Sequence, residues 1–232
     1  MKNTINRIVI LMGGVGSRLG CESAGISSKI FFITPKGLIL DRIVECINEI
    51  DELSEIPVEF YLCNDAQHTD LEQYKSRIHH TYIVHKIDRS AHLFSVIKGN
   101  ENILLIYGDT FFQKNILKDV LKAFQSNGLS VVSLLPTHSG IDDVDFVIRD
   151  RKIISVIPCR KQLFEPTQVF LFNTPTCRRI AELVKRGINR FDIMYKYLLK
   201  ESVFNVIECM QNECINVNER SDVDKITHFS KT

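Results

Sequence analysis

A glycine-rich segment directly after an apolar run is the part of this 232-residue chain best suited to chemistry. The apolar run at 8–11, Ile-Val-Ile-Leu, has the character of a buried strand. The segment that follows reads Met12-Gly13-Gly14-Val15-Gly16-Ser17-Arg18-Leu19-Gly20. Glycines let the backbone turn tightly, and backbone N–H groups in such a turn attract anions. Arg18 adds a planar cation that matches phosphate. The segment therefore predicts a phosphate-binding loop with a nucleotide as its ligand.

Four interpretations of this loop differ in the residues they require. A P-loop ends in Gly-Lys-Ser/Thr, whereas Ser17 and Arg18 follow Gly16. A dinucleotide fingerprint requires Gly-x-Gly-x-x-Gly, and Leu19 stands where the third glycine belongs. The pattern Gly-Gly-x-Gly-Ser/Thr-Arg-Leu is complete at residues 13–19. A chance glycine-rich turn between a strand and a helix is the remaining alternative.

On these residues the chain resembles the nucleotidyltransferases of sugar-nucleotide and related pathways. The resemblance implies a three-layer α/β/α fold with a mainly parallel mixed sheet, Rossmann-like and of the GT-A type. It also implies that the nucleotide is bound by Met12, Gly13, Gly14, Val15, Gly16 and Ser17. Arg18 and Lys29 would be the catalytic cations, because the family places a lysine before an apolar stretch such as 30–33. Lys36 is a lesser alternative to Lys29, and an ordinary surface lysine is the other interpretation.

Two polar residues that follow predicted strands suit a Mg²⁺ site. The apolar run 103–107 ends in Gly108-Asp109, at the edge where open α/β sheets bind ligands, and Mg²⁺ prefers carboxylate oxygens. In the family that the chain resembles, this aspartate holds the metal, and an Asn or Asp after a late strand completes the site. Asn218 falls at that second position, with Asn216 as the alternative if the register differs. Both Asp109 and Asn218 could instead cap helices.

Further site residues rest on the resemblance alone. Arg89 and Ser90 lie where related enzymes contact the base, although a helix cap explains Ser90 equally well. Arg160 and Lys161 lie where an acceptor phosphate binds, with a solvated basic pair as the alternative. Asp192, at the start of a later predicted helix, would face the acceptor.

Composition limits the classes of partner and compartment. A net charge of +1 gives no electrostatic case for nucleic acid or for an acidic membrane. No run approaches the roughly 20 apolar residues of a membrane helix. The 7 cysteines lack C-x-x-C spacing, and several lie in apolar runs, which is typical of reduced core residues in a cytoplasmic protein.

Strand-like and helix-like stretches alternate through the first part of the chain. Strands are predicted at 8–12, 58–63, 81–85, 103–107 and 129–135, with helices at 38–50, 69–78, 91–98 and 116–126. This alternation favours a mainly parallel sheet between helices. The second part adds a hairpin at 145–157, strands near 169–172, 203–208 and 214–217, and three helices. We predict one nucleotidyltransferase domain over 1–232, with 1–136 binding nucleotide and 137–232 binding acceptor.

The resulting hypothesis is transfer of NMP, with CTP favoured as donor, to a phosphorylated small molecule, with Mg²⁺ as cofactor and release of pyrophosphate. The product would be an activated intermediate for surface polysaccharide or related biosynthesis. Neither nucleic acid nor membrane is an expected partner, and the resemblance allows a homodimer. The alternatives are a sugar-1-phosphate uridylyl- or guanylyltransferase, a GT-A glycosyltransferase and a non-catalytic nucleotide-binding paralogue. Residue 111 is Phe, so the Asp-x-Asp of most such glycosyltransferases is absent.

Overall fold

The apolar and amphipathic stretches of the sequence fold into strands and helices that alternate along the chain. The structure, a computed structural model, describes residues 4–12, 16–21, 24–87, 93–136, 144–158, 164–188, 194, 197–198, 202–210 and 212–229. The strands are β1 (Arg7–Leu11), β2 (Ile33–Thr34), β3 (Gly37–Leu38), β4 (Val58–Leu62), β5 (Tyr82–Lys86), β6 (Ile103–Tyr107), β7 (Thr110–Phe112), β8 (Val131–Pro136), β9 (Val144–Arg149), β10 (Lys152–Pro158), β11 (Phe164–Phe172), β12 (Phe204–Glu208) and β13 (Cys214–Asn216). The α-helices with described bounds are α1 (Ile39–Asn48), α2 (Asp51–Ser54), α3 (Asp65–Gln73), α4 (Lys114–Asn127), α5 (Thr174–Lys185) and α6 (Arg220–Thr227).

Nine of these strands form one sheet, in the order β5-β4-β1-β6-β11-β8-β12-β10-β9. All of them run in one direction except β10 and β11, which are antiparallel to their neighbours. β11 pairs with β6 on one side and with β8 on the other. The predicted mainly parallel mixed sheet is therefore confirmed, and β11, from the second half of the chain, lies between two strands of the first half.

Helices cover both faces of the sheet, as the three-layer prediction required. Because side chains alternate across a strand, Ile8 and Ile10 of β1 pack with α1, α3, α4 and α6 on one face. Val9 and Leu11 face the other way and pack with α5. Strand β1 is thus buried on both faces, which explains its uninterrupted apolar sequence. Among the described helices, none is long and apolar enough to cross a bilayer.

The strand order reverses between β1 and β6. β1 pairs with β4 on one side and with β6 on the other, both in parallel, and ligands bind at the carboxyl ends of strands at such a reversal. The N–H of Gly108, after β6, donates to the carbonyl of Leu11 at 2.8 Å. A Cβ at position 108 would lie 3.0 Å from that carbonyl oxygen, so the close approach of the two strand ends depends on glycine.

Three details differ from the sequence-based expectations. In its described part, the helix predicted at 91–98 is only a 3₁₀ turn, Leu93–Val96, because Gly99 then packs against the α5 backbone at a positive φ of 89°. The helix predicted at 69–78 is α3, which begins at Asp65 because the Asn64 side chain accepts the Gln67 N–H at 2.9 Å. Strand β7, which was not predicted, pairs with the distant β13 in a separate small sheet.

A buried ionic cluster holds the segment after that 3₁₀ turn against the sheet. The guanidinium of Arg7 donates to Glu59 at 2.7 Å and to Glu101 at 2.6 Å, and it also donates to the carbonyl of Val96 at 3.2 Å. Burial opposes ionisation of Glu59, but the hydrogen bonds and charge of Arg7 outweigh it and lower the pKa of Glu59 to about 2. The cluster lies at the amino end of β1, at the opposite end of the strand from the glycine-rich loop, so its role is structural.

Candidate functional site

The glycine-rich loop begins at the carboxyl end of β1, at the strand reversal. Gly16 has a left-handed φ of 70° and starts the 3₁₀ turn Ser17–Leu19, whose last N–H donates to the Gly16 carbonyl at 2.9 Å. Ser17 and Arg18 are exposed on this turn, so the Arg18 guanidinium is accessible to an anion. Gly13, Gly14 and Val15 lie outside the described residues, and their predicted nucleotide contacts stay predictions.

The start of this loop is fixed by a carbonyl clamp, two hydrogen bonds to the carbonyl of Met12 that were not predicted from the sequence. Met12 is fully buried, and its carbonyl accepts from Gln67 Nε2 at 2.8 Å and from Ser28 Oγ at 3.1 Å. Gln67 Oε1 in turn accepts the N–H of Cys63 at 2.6 Å. The only signal in the sequence is a glutamine in the first turn of a helix that follows a buried strand.

The segment between the loop and Lys29 is tied to α3. The backbone N–H and the hydroxyl of Ser27 donate to Asp70 Oδ2 at 3.0 and 2.5 Å. Ser28 then precedes a 3₁₀ turn, Lys29–Phe31, and Phe31 stacks on Tyr74 with ring centroids 5.4 Å apart. These contacts fix the backbone from which the Lys29 side chain projects.

Lys29 joins the two residues predicted to bind a metal. Its Nζ donates to Asp109 Oδ2 at 3.0 Å and to Asn218 Oδ1 at 2.7 Å. The Lys29 and Asp109 side chains are only 11% and 13% exposed. The aliphatic stem of Lys29 packs against the start of the loop: a Cβ on Gly16 would lie 3.0 Å from Lys29 Cγ. The structure therefore brings Lys29, Asp109 and Asn218 together beside the glycine-rich loop.

One backbone hydrogen bond places Asp109 next to the segment that carries Asn218. The carbonyl of Asp109 accepts the N–H of Val217 at 2.7 Å. Asp222 Oδ2, in the first turn of α6, accepts the N–H of Asn218 at 2.9 Å. Asn216 lies earlier, in β13 opposite Thr110. The register between β7 and β13 thus puts Asn218, and not Asn216, beside Asp109. The hydrogen bond to Asp222 holds the backbone of Asn218 in this position.

The chemistry of this group suits a hard cation. Asp109 Oδ1 is buried and has no hydrogen-bond partner among the described residues, so the carboxylate keeps one oxygen available. Asn218 Oδ1 adds a neutral oxygen, and carboxylate and amide oxygens are ligands that Mg²⁺ accepts. A cation, the Lys29 ammonium, already contacts both groups. No cluster of three or more His, Cys, Asp or Glu side chains suited to a metal occurs in the described ranges, so a Mg²⁺ ion here would need further oxygens from its ligand.

A backbone irregularity lies close to this group, in β11. Thr110, which follows Asp109, donates from Oγ1 to the carbonyl of Thr167 at 3.3 Å. The next residue, Gln168, has a positive φ of 66° at the point where the β11 register shifts. Its Oε1 is buried without a hydrogen-bond partner in the described part of the chain. A strained residue with an unsatisfied polar atom is characteristic of functional sites.

The cysteine beneath the loop is a packing residue. Cys21 is fully buried, and its Sγ would lie 2.5 Å from a Cβ on Gly16. Burial raises the pKa of the Cys21 thiol, with the Lys29 charge acting in the opposite direction. A thiol in this state is a poor nucleophile at neutral pH.

The remaining predicted residues cannot be placed relative to this group. Arg89 and Ser90, predicted to contact the base, lie outside the described residues. So do Arg160, Lys161 and Asp192, predicted to contact the acceptor. Their roles stay predictions.

Comparison with known proteins gives matches at the level of structure. No protein-family model matches the sequence, and no curated protein sequence matches it. A structure assigned as a glucose-1-phosphate thymidylyltransferase from Bacillus anthracis aligns with a TM-score of 0.74 and 18% identity, over 94% of this chain and 92% of the other. A CTP:phosphocholine cytidylyltransferase from Streptococcus pneumoniae aligns with a TM-score of 0.73 and 17% identity, over 96% and 97%.

An inositol-1-phosphate CTP transferase from T. maritima aligns with a TM-score of 0.70 and 13% identity, over 100% of this chain and 98% of the other. All three structures are aligned over nearly their full lengths. These alignments confirm the fold that the resemblance in the glycine-rich loop implied. The chain has the α/β fold of these nucleotidyltransferase structures.

Proposed function

We propose that the chain is a nucleotidyltransferase that transfers NMP from an NTP, with CTP favoured, to a phosphorylated small molecule. The observation that carries the proposal is the meeting of the Lys29 ammonium, the Asp109 carboxylate and the Asn218 amide at hydrogen-bonding distance. They meet beside the glycine-rich loop, at the strand reversal where α/β sheets bind ligands. The fold shared with nucleotidyltransferase structures supports the same activity.

The reaction is a single displacement at phosphorus. A phosphate oxygen of the acceptor bonds to the α-phosphorus of the NTP, and the bond from that phosphorus to the oxygen bridging it to the β-phosphorus breaks. The bridging oxygen leaves with its electron pair as part of pyrophosphate. The second pKa of a phosphate monoester is about 6, so the attacking oxygen is an anion at neutral pH and needs no general base.

Cations and positioning must therefore supply the catalysis. In the proposed complex the exposed Arg18 and the N–H groups of the loop hold the β- and γ-phosphates. The Lys29 ammonium reduces the repulsion between the α-phosphate and the incoming oxygen. Asp109 and Asn218 would hold Mg²⁺, which would screen the phosphate charges and stabilise the leaving pyrophosphate.

The base and the acceptor are proposed from the compared structures and from the sequence. Two of the three compared structures use CTP according to their names, which is consistent with CTP as donor. We further propose that Arg89 and Ser90 contact the base and that Arg160, Lys161 and Asp192 contact the acceptor. A product destined for surface polysaccharide or a related pathway fits this class of reaction.

Pyrophosphate release, measured for four NTPs against a panel of phosphorylated metabolites, tests the proposal. We expect one NTP–acceptor pair to release pyrophosphate in the presence of Mg²⁺. With that pair, Arg18→Ala should lower turnover at least tenfold, equivalent to about 1.4 kcal/mol in the barrier. Arg149→Ala is the matched control, because Arg149 is exposed on the far edge strand β9, and its turnover should equal that of the unaltered protein.

Other outcomes point to the rival functions. Binding of an NTP without turnover on any acceptor would indicate a nucleotide-binding paralogue. Transfer from a finished nucleotide sugar, without use of an NTP, would indicate a glycosyltransferase. Full activity of Arg18→Ala would remove Arg18 from the proposed mechanism.

A further inference from the structure

The Lys29 ammonium lies between the two side chains that the proposed function assigns to Mg²⁺. It is 3.0 Å from Asp109 Oδ2 and 2.7 Å from Asn218 Oδ1. A metal ion held by these oxygens and the ammonium group require the same acceptor atoms. Both cations therefore compete for one position, and Lys29 must release at least one of its partners before a metal ion can bind there.

The charges of the group favour lysine over a free metal ion. Asp109 carries one negative charge, Asn218 is neutral, and Lys29 carries one positive charge, so the three side chains together are neutral. A divalent ion arriving alone would meet a carboxylate that is already paired and an ammonium that repels it. Mg²⁺ keeps its waters unless several oxygens replace them, and it is usually bound by one or two carboxylates together with substrate phosphates.

The surroundings of Lys29 restrict where its ammonium can go. The backbone is held in the 3₁₀ turn Lys29–Phe31, and the Phe31 ring is stacked on Tyr74. Lys29 Cγ lies close beneath Gly16. Only the outer part of the side chain is therefore free to turn, and the described part of the glycine-rich loop, with the exposed Arg18, begins above its stem. Phosphates held by that loop would give the ammonium new partners.

We propose that Lys29 is an exchangeable cation. It occupies the Asp109–Asn218 position in the nucleotide-free protein and leaves it when the phosphates of a nucleotide bind. The position then accepts a divalent ion, so the protein binds the ion together with a nucleotide and only weakly without one. This inference rests on the proposed nucleotidyl transfer site, and it adds an order of binding that the transfer reaction does not itself require.

Binding of Mn²⁺ alone, followed by electron paramagnetic resonance, tests the exchange without turnover. Lys29→Met keeps the length of the side chain and removes its charge, and we expect it to bind Mn²⁺ at least tenfold more tightly than the unaltered protein does. Lys36→Met removes the same charge from an exposed turn and should bind Mn²⁺ within twofold of the unaltered protein. Lys29→Arg keeps a cation and should also bind Mn²⁺ weakly. Adding Asp109→Asn to Lys29→Met should abolish the gain.

Different results would contradict the proposed exchange of Lys29 and the proposed metal site. If Asp109→Asn weakens binding of Mn²⁺ with a non-hydrolysable nucleotide, but Lys29→Met binds free Mn²⁺ no better than Lys36→Met does, the exchange is wrong and the metal site stands. If Asp109→Asn binds Mn²⁺ with nucleotide as tightly as the unaltered protein does, the proposed metal site itself is wrong.

A measurement on the unaltered protein guards against a variant that does not fold. The ammonium resonance of Lys29 can be followed by nuclear magnetic resonance after ¹⁵N-lysine labelling and identified by its loss in Lys29→Arg. We expect Mg²⁺ alone, at millimolar concentration, to leave it unchanged, and Mg²⁺ with a non-hydrolysable nucleotide to shift it. A shift with Mg²⁺ alone would overturn the exchange.

Discussion

Substitution of Gly16 by alanine tests the packing between the glycine-rich loop and the residues beneath it. Gly16 has a φ of 70°, and a Cβ there would lie 2.5 Å from Cys21 Sγ and 3.0 Å from Lys29 Cγ. Gly25 offers a matched control, because it has the same φ of 70° and a Cβ there would meet no atom within 4 Å. The two substitutions thus share the backbone cost, and only one of them adds a steric cost.

The expected magnitudes follow from these two costs. An alanine in the left-handed region costs about 1–2 kcal/mol, which should be the whole effect of Gly25→Ala. Overpacking a filled site costs about 1–3 kcal/mol more, so Gly16→Ala should lower the free energy of unfolding by about 2–5 kcal/mol. In a Cys21→Ala background the sulfur is gone, and the cost of Gly16→Ala should fall towards that of Gly25→Ala.

Urea unfolding of the four single and double variants provides the assay. The coupling energy of the Gly16→Ala and Cys21→Ala cycle should be about 1 kcal/mol or more, as expected for residues in contact. Because the new methyl group also presses on the Lys29 stem, turnover of Gly16→Ala should fall as well. An equal cost of Gly16→Ala with and without the Cys21 sulfur would refute the steric reasoning.

Two further predictions concern buried polar groups. The pKa of Glu59 is lowered from 4.5 to about 2, so its stabilising effect is complete above pH 4.5 and is lost as the pH falls towards 2. The shift is equivalent to about 3 kcal/mol. The difference in the free energy of unfolding between the unaltered protein and Glu59→Gln should therefore shrink as the pH falls from 4.5 towards 2. A difference that stays constant with pH would contradict the pairing of Glu59 with Arg7. Gln67→Leu removes the clamp on the Met12 carbonyl, and we expect it to lower the free energy of unfolding by about 1–3 kcal/mol and to weaken nucleotide binding. Gln73→Leu, on the exposed side of α3, should change neither quantity. Urea unfolding measures the first effect, and calorimetric titration with nucleotide measures the second.

The parts of the site that follow strand ends could be predicted from the sequence. The glycine-rich loop and Asp109 each come directly after an apolar run, and the carboxyl ends of neighbouring parallel strands share one edge of the sheet. Their proximity therefore followed from local patterns and the fold class. The three-layer fold was predictable for the same reason, since helices and strands alternate along the chain.

Contacts between distant segments could not be predicted in this way. Lys29 was predicted as a catalytic cation, but the contacts of its ammonium are with residues that lie 80 and 189 positions away. The choice of Asn218 over Asn216 depended on the pairing of β7 with β13, and β7 has only 3 residues, too few for an alternating pattern that predicts a strand. The Gln67 clamp likewise depends on a side chain that reaches from one helix to the end of another strand.

The position of β11 has a consequence for how the chain acquires its fold. β11 lies between β6 and β8 in the sheet, but both of those strands are synthesised before residue 164, where β11 begins. During synthesis, β6 and β8 therefore lack the partner strand that they share in the folded protein until β11 has left the ribosome. Pairing between strands that are distant in the sequence slows folding, and unpaired strand edges promote association between nascent chains. Molecular chaperones that shield open edges should therefore increase the yield of folded protein when translation is fast.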